Sequence, residues 1–162
     1  MRRALIPAAL LVLATAACGP DAGEAGHAGH SGNTTAPGST EMGTVPGEAA
    51  DASEADRKVT VVAFDELRFD PVSIDVSAGE VVTFVVRNDG ATDHEFVLGD
   101  SDYQEMHARG DHYMDGMDNA VTVGPGESAE ITWHFEVAGD VLYGCHEPGH
   151  YEGGMVGTIQ IR

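Results

Sequence analysis

Residues 143 to 156 read YGCHEPGHYEGGMV, and Cys145, His150 and Met155 fall within them as C-x4-H-x4-M. Thiolate, imidazole and thioether are soft to intermediate donors. Two histidines and one cysteine in a trigonal set, with a distant axial methionine, suit a single redox-active copper ion. Pro148 and Gly149 predict a tight turn that returns His150 to the side of Cys145, and Pro148 has no N–H to donate to the sulfur. Gly153 and Gly154 remove bulk where the chain must fold again to bring in Met155. One short loop cannot enclose a metal, so a second histidine must come from elsewhere. His94, opening the run HEFVL after Asn88-Asp89-Gly90, is the natural candidate. Taken singly, each residue has a plainer explanation. A lone cysteine is most often a small buried hydrophobe, and methionine commonly fills a core. Four suitable donors coinciding with these turn residues favour the metal. His146 and His134 are expected to be structural or surface residues.

The elements that must position these residues are short and β-branched. VTVVAF (59–64), VSIDV (72–76), EVVTFVVRN (80–88), HEFVL (94–98), AVTV (120–123), AEITWHFEV (129–137), VLYGC (141–145) and VGTIQI (156–161) are separated by DP, SAGE, NDG, VGPGES, VAGD and EPG. Those separators are turn chemistry. Ile131, Trp133 and Phe135 alternate with Thr132, His134 and Glu136, the period of a half-buried strand. With one tryptophan in the chain, the core must rest mainly on valine, isoleucine and phenylalanine. Many short strands without helix-length spacers predict an all-β Greek-key sandwich or barrel.

The exception is GDSDYQEMHARGDHYMDGMDN, residues 99–119, too long and polar for a simple turn. A short helix is expected around Asp102 to Arg109. Met106, His107, His112, Met114 and Met117 in this insertion have the mixed chemistry of a second, labile Cu(I) site. The plainer reading, an exposed acidic loop, is preferred because such unspaced clusters are weak signals.

With CHEPGHYEGGM followed by GTIQI, residues 58–162 resemble the cupredoxins, the single-domain blue copper proteins. The ligand loop is most similar to the auracyanin and rusticyanin pattern; plastocyanin has a shorter Cys-to-His spacing. The resemblance implies a Greek-key β-sandwich with one type 1 copper held by His94, Cys145, His150 and Met155 near one end. It also implies electron passage through the edge of His150. Two features depart from the family. Glu95 stands where azurin has Asn and rusticyanin Ser, and the 99–119 insertion has no counterpart in the simplest members.

The expected function is therefore single-electron transfer between redox proteins outside the cytoplasm. The alternative is copper binding and delivery in copper homeostasis. Catalysis is not expected. Repeated His-x-His pairs for a trinuclear copper centre are absent, one cysteine cannot build a binuclear CuA loop, and no Gly-x-Ser-x-Gly turn occurs.

Residues 1–17 read as a signal peptide, with Arg2 and Arg3 before an apolar run too short to span a membrane. Thr15-Ala16-Ala17-Cys18 resembles a lipobox, with Cys18 as the lipidation site, although leucine is usual where Thr15 stands. Ordinary cleavage near Ala17, giving a soluble exported protein, is the alternative. Residues 18–57, rich in Gly, Ala, Ser, Pro and acid, are expected to form a disordered tether, since they cannot bury enough apolar surface to offset ordering. The chain is then a membrane lipoprotein facing the periplasm or the extracellular side, a monomer touching the membrane only through its lipid. A formal charge of −19, with 8 basic against 27 acidic side chains, argues against nucleic acid or an anionic membrane surface as partner; solubility outside the cytoplasm is the preferred reading of it, and steering towards a cationic redox protein the sharper one.

Overall fold

The computed structural model describes residues 43–110 and 117–162. Among these residues, ten strands build two five-stranded sheets. The first has the order β1 (Glu48–Ala49), β8 (Ser128–Phe135), β5 (Glu80–Asn88), β2 (Arg57–Phe64), β3 (Arg68–Asp70). The second has the order β4 (Ser73–Val76), β10 (Val156–Ile161), β9 (Gly139–Gly144), β6 (His94–Gly99), β7 (Ala120–Val123). β2 runs parallel to β5 and β4 parallel to β10, while the other neighbours are antiparallel. This is the expected all-β sandwich.

Strand periodicity explains the core. Val82, Phe84 and Val86 of β5 point inward with Ile131, Trp133 and Phe135 of the neighbouring β8. From the opposite sheet come Phe96, Tyr143 and Ile159. Aromatic rings join the two layers: Phe84 lies 5.5 Å from Phe96, and Phe96 stacks on Tyr143 at 5.1 Å. Each fully buried large apolar side chain contributes about 1.5–3 kcal/mol relative to exposure. On the other face of the same sheet Thr83 and Thr132 stand opposite each other, buried, and share a hydrogen bond at 2.8 Å, so neither hydroxyl is left unpaired.

The packed chain begins earlier than residue 58, which corrects the expected boundary. Residues 43–56, assigned to the tether by composition, lie along the first sheet. The indole N–H of Trp133 donates to Pro46 O at 2.8 Å, and Glu48–Ala49 pair with His134 and Trp133. A buried indole N–H needs an acceptor and β8 had an open edge; the polar segment supplies both. Residues 1–42, including the proposed signal peptide and Cys18, lie outside the described residues.

The insertion carries helix α1 (Ser101–Ala108), as expected, packed on β6 and β9. Asp100 caps it, accepting from the Tyr103 amide at 2.8 Å. The same carboxylate accepts from the Thr44 amide at 2.8 Å and hydroxyl at 2.5 Å, so the segment from residue 43 also straps α1. No helix among the described residues is long and apolar enough to cross a membrane.

Candidate metal centre

The strands deliver three of the four expected donors to one point. His94 opens β6, and Cys145 follows β9 directly. His150 returns on the turn beyond, where His150 N donates to Glu147 O at 2.9 Å. Gly149 takes φ +84°, a conformation other residues adopt only with strain. Nδ1 of His150 lies 3.3 Å from Cys145 Sγ, and Nδ1 of His94 lies 3.8 Å from it. One donor atom from each of the three falls within 4.8 Å of the others. Met155 is wholly buried, its backbone locked between two of these residues. Cys145 N donates to Met155 O at 3.1 Å, and Met155 N donates to His150 O at 3.0 Å.

Burial sets the charge states. It pushes the Cys145 thiol up to about 11, against the opposing pull of the Glu95 and Glu147 amides. A soft cation displaces that proton on binding, so metal uptake releases a proton here. Burial, together with nearby His150, lowers His94, which keeps its imidazole neutral and able to donate a lone pair. Glu95, the departure from the family, contributes its amide: Glu95 N approaches Cys145 Sγ at 3.3 Å. Its carboxyl is raised by burial and by Glu147. His150 alone of the four candidate ligands is partly exposed.

Behind His94 stands Asp65, which sequence reasoning missed. Its Oδ1 lies 3.5 Å from His94 Nε2, while its carboxylate accepts from the Ala91 amide at 2.8 Å and the Thr92 hydroxyl at 3.1 Å. The Ala91 hydrogen bond lowers its carboxyl most. A carboxylate behind a ligating imidazole orients the ring and raises its basicity. Asp65 sits in the β2–β3 turn, 29 positions from its partner, with no local motif to betray it.

The second suggested cluster is distributed differently. His112 and Met114 lie outside the described residues. Met106 Sδ accepts from Gly43 N at 3.4 Å, and Met117 Sδ accepts from the Tyr103 hydroxyl at 3.4 Å. His107 turns inward beside His146, ring centres 4.4 Å apart. His146, expected to be structural or exposed, is half-buried and held neutral, its value pushed down to about 4 by burial and nearby His107. Glu48, His134 and Glu136 also group at the surface, on the outer side of β1 and β8.

The donor set fits a copper ion: a thiolate, an imidazole and a buried thioether from one loop and a second imidazole from β6, with the Glu95 amide at the sulfur. Comparison with known proteins agrees. Residues 55–162 match the model of copper binding proteins of the plastocyanin/azurin family. The chain is 44% identical over 120 residues to the copper-resistant cuproprotein CopI of Rubrivivax gelatinosus, covering 72% of this chain and 73% of that one. To the CopI of Pseudomonas aeruginosa it is 34% identical, covering 99% and 98%. Among solved structures, auracyanin B superposes with a TM-score of 0.61 at 26% identity, covering 72% of this chain and 96% of that one. The chain belongs to the plastocyanin/azurin family of copper-binding proteins.

Proposed function

We propose that this is an exported type 1 copper protein whose single centre, held by His94, Cys145, His150 and Met155, passes single electrons as part of a copper-resistance system. The observation that carries the reading is the convergence of Cys145 Sγ, His94 Nδ1 and His150 Nδ1 at a buried point with only His150 partly exposed. Copper bound there would supply a one-electron couple with little rearrangement between its two states. The chain's own residues do the rest. Burial keeps His94 neutral, and the Glu95 amide is directed at the sulfur. The turn through Pro148 and Gly149 leaves the His150 edge as the place where a partner can approach. Four protein donors leave no open position for a substrate, which supports carriage rather than catalysis. The acidic surface suits a cationic redox partner, and the signal and tether reading places the domain outside the cytoplasm.

Copper delivery is the second reading, and the copper-resistant naming of the CopI relatives favours it. Retention separates the two. The copper-loaded protein is taken through repeated ascorbate reduction and reoxidation in the presence of a Cu(I) chelator. A carrier keeps one copper per chain through the cycles. Rapid loss of reduced copper to the chelator would make delivery the function.

A further inference from the structure

Helix α1 is held by something other than an apolar face. Its buried residues are Tyr103, Gln104 and His107, and Gln104 is fully buried. A buried amide is costly unless every polar atom is used. Gln104 Nε2 donates to Val97 O of β6 at 2.7 Å and approaches Leu142 O of β9 at 3.4 Å. These contacts determine which way the amide faces. Oε1 is therefore the atom 2.6 Å from His146 Nε2, and the imidazole carries its hydrogen on Nε2 and donates it. Gly144 permits the approach, since a Cβ there would stand 2.6 Å from Gln104 Oε1. The His146 ring is stacked on Tyr151, 4.7 Å between centres and inclined at 22°. Helix α1 thus grips the residue after Cys145 and, through the stack, the residue after His150. Those two ligands face each other, with His150 Nδ1 3.3 Å from the Cys145 sulfur.

We propose that Gln104 is a positioning residue of the metal centre: through His146 and its stack on Tyr151 it holds the loop that carries Cys145 and His150, and so fixes where the ligand sulfur and the His150 ring meet. The proposal rests on the type 1 reading. The surroundings of the ligand sulfur tune the potential of such a centre, so a shift of the loop that carries it moves the potential. The insertion between β6 and β7 then acts on the centre without contributing a ligand.

The test uses the full copper-loaded chain in four forms: wild type, Gln104→Met, His146→Phe and the double variant. Methionine preserves the length of Gln104 without its polar atoms. Phenylalanine preserves the stack on Tyr151 without the N–H. Each is followed by visible spectrum, midpoint potential and copper affinity against a chelator, with urea unfolding of the metal-free forms alongside. Both single variants should shift the potential in the same direction, move the thiolate charge-transfer band and weaken copper affinity about tenfold or more. The double variant should shift the potential no further than either single one, because all three remove one interaction. Wild-type potential and band in the single variants, with only unfolding stability changed, would reduce Gln104 to a packing residue and overturn the proposal, as would additive shifts. Should Gln104→Met fail to fold, His146→Phe alone carries the same expected and contrary results. A wild type with no charge-transfer band rejects the type 1 reading and this proposal with it, and that outcome is visible before any variant is made.

Discussion

At the scale of single residues, the centre depends on what stands behind its ligands. The thiol of Cys145 and the imidazole of His94 are both neutral in the metal-free fold because burial disfavours their charged forms. Asp65 adds a negative charge at the far side of His94. Asp65→Ala should therefore weaken copper binding by about 10- to 100-fold. Asp65→Asn keeps the shape and removes the charge, so it should raise the midpoint potential by disfavouring the oxidised metal. Chelator competition and potentiometry check the two outcomes. Unchanged affinity and potential in both variants would show that Asp65 serves only the turn, through Ala91 and Thr92. Three of the candidate ligands, Cys145, His150 and Met155, were legible from their spacing within one loop, and His94 from its place at the start of a strand after a turn. Asp65 and Gln104 were not, since each acts across strand pairings that no local pattern announces.

Among the elements, α1 is the one the sandwich does not require. Its N-terminus is secured by Asp100, which serves Tyr103 and Thr44 together. Burial alone would raise this carboxyl. The Thr44 hydroxyl and the amides around it outweigh burial and hold it below the usual range. A depressed carboxyl contributes stability that is complete above its unfolded value near 4 and lost as the pH falls through the folded value. Asp100→Ala should cost about 1 kcal/mol at neutral pH, and the difference from wild type should shrink on acidification. Urea titrations at neutral and acidic pH check both parts, and a penalty independent of pH would contradict the assignment. The helix was legible from DSDYQEMHAR as a short element within a polar insertion. Its docking was not, because a glutamine reads as a surface residue until its partners are known.

Across the whole molecule, the eight expected strands each have a counterpart, since alternation and turn residues agree along the chain. What composition concealed were two short strands. β3 has three residues and β1 two, too few to show a period. β1 also lies in a stretch whose Gly, Ala and acid content matches a linker, yet it satisfies Trp133 and closes an edge. A chain starting at Lys58 should be less stable than one starting at Gly43 by about 1–3 kcal/mol, the cost of leaving the Trp133 N–H without its acceptor. Equal midpoints for the two truncated chains would show that residues 43–57 only rest on the sheet. Core substitution sets the reference scale: Phe84→Ala, at the junction of both sheets, should cost about 3–5 kcal/mol.

The central claim is that Cys145, His94, His150 and Met155 hold one copper ion as a type 1 centre. The visible spectrum of the oxidised, copper-loaded protein tests it most directly, with Cys145→Ser measured beside it. Thiolate-to-copper charge transfer should make the wild type intensely blue or green, and ascorbate should bleach it reversibly. Cys145→Ser should be colourless, with its β-sheet circular dichroism intact. A wild type that binds one Cu(II) per chain and stays colourless, or a Cys145→Ser variant that keeps the band, would contradict the account.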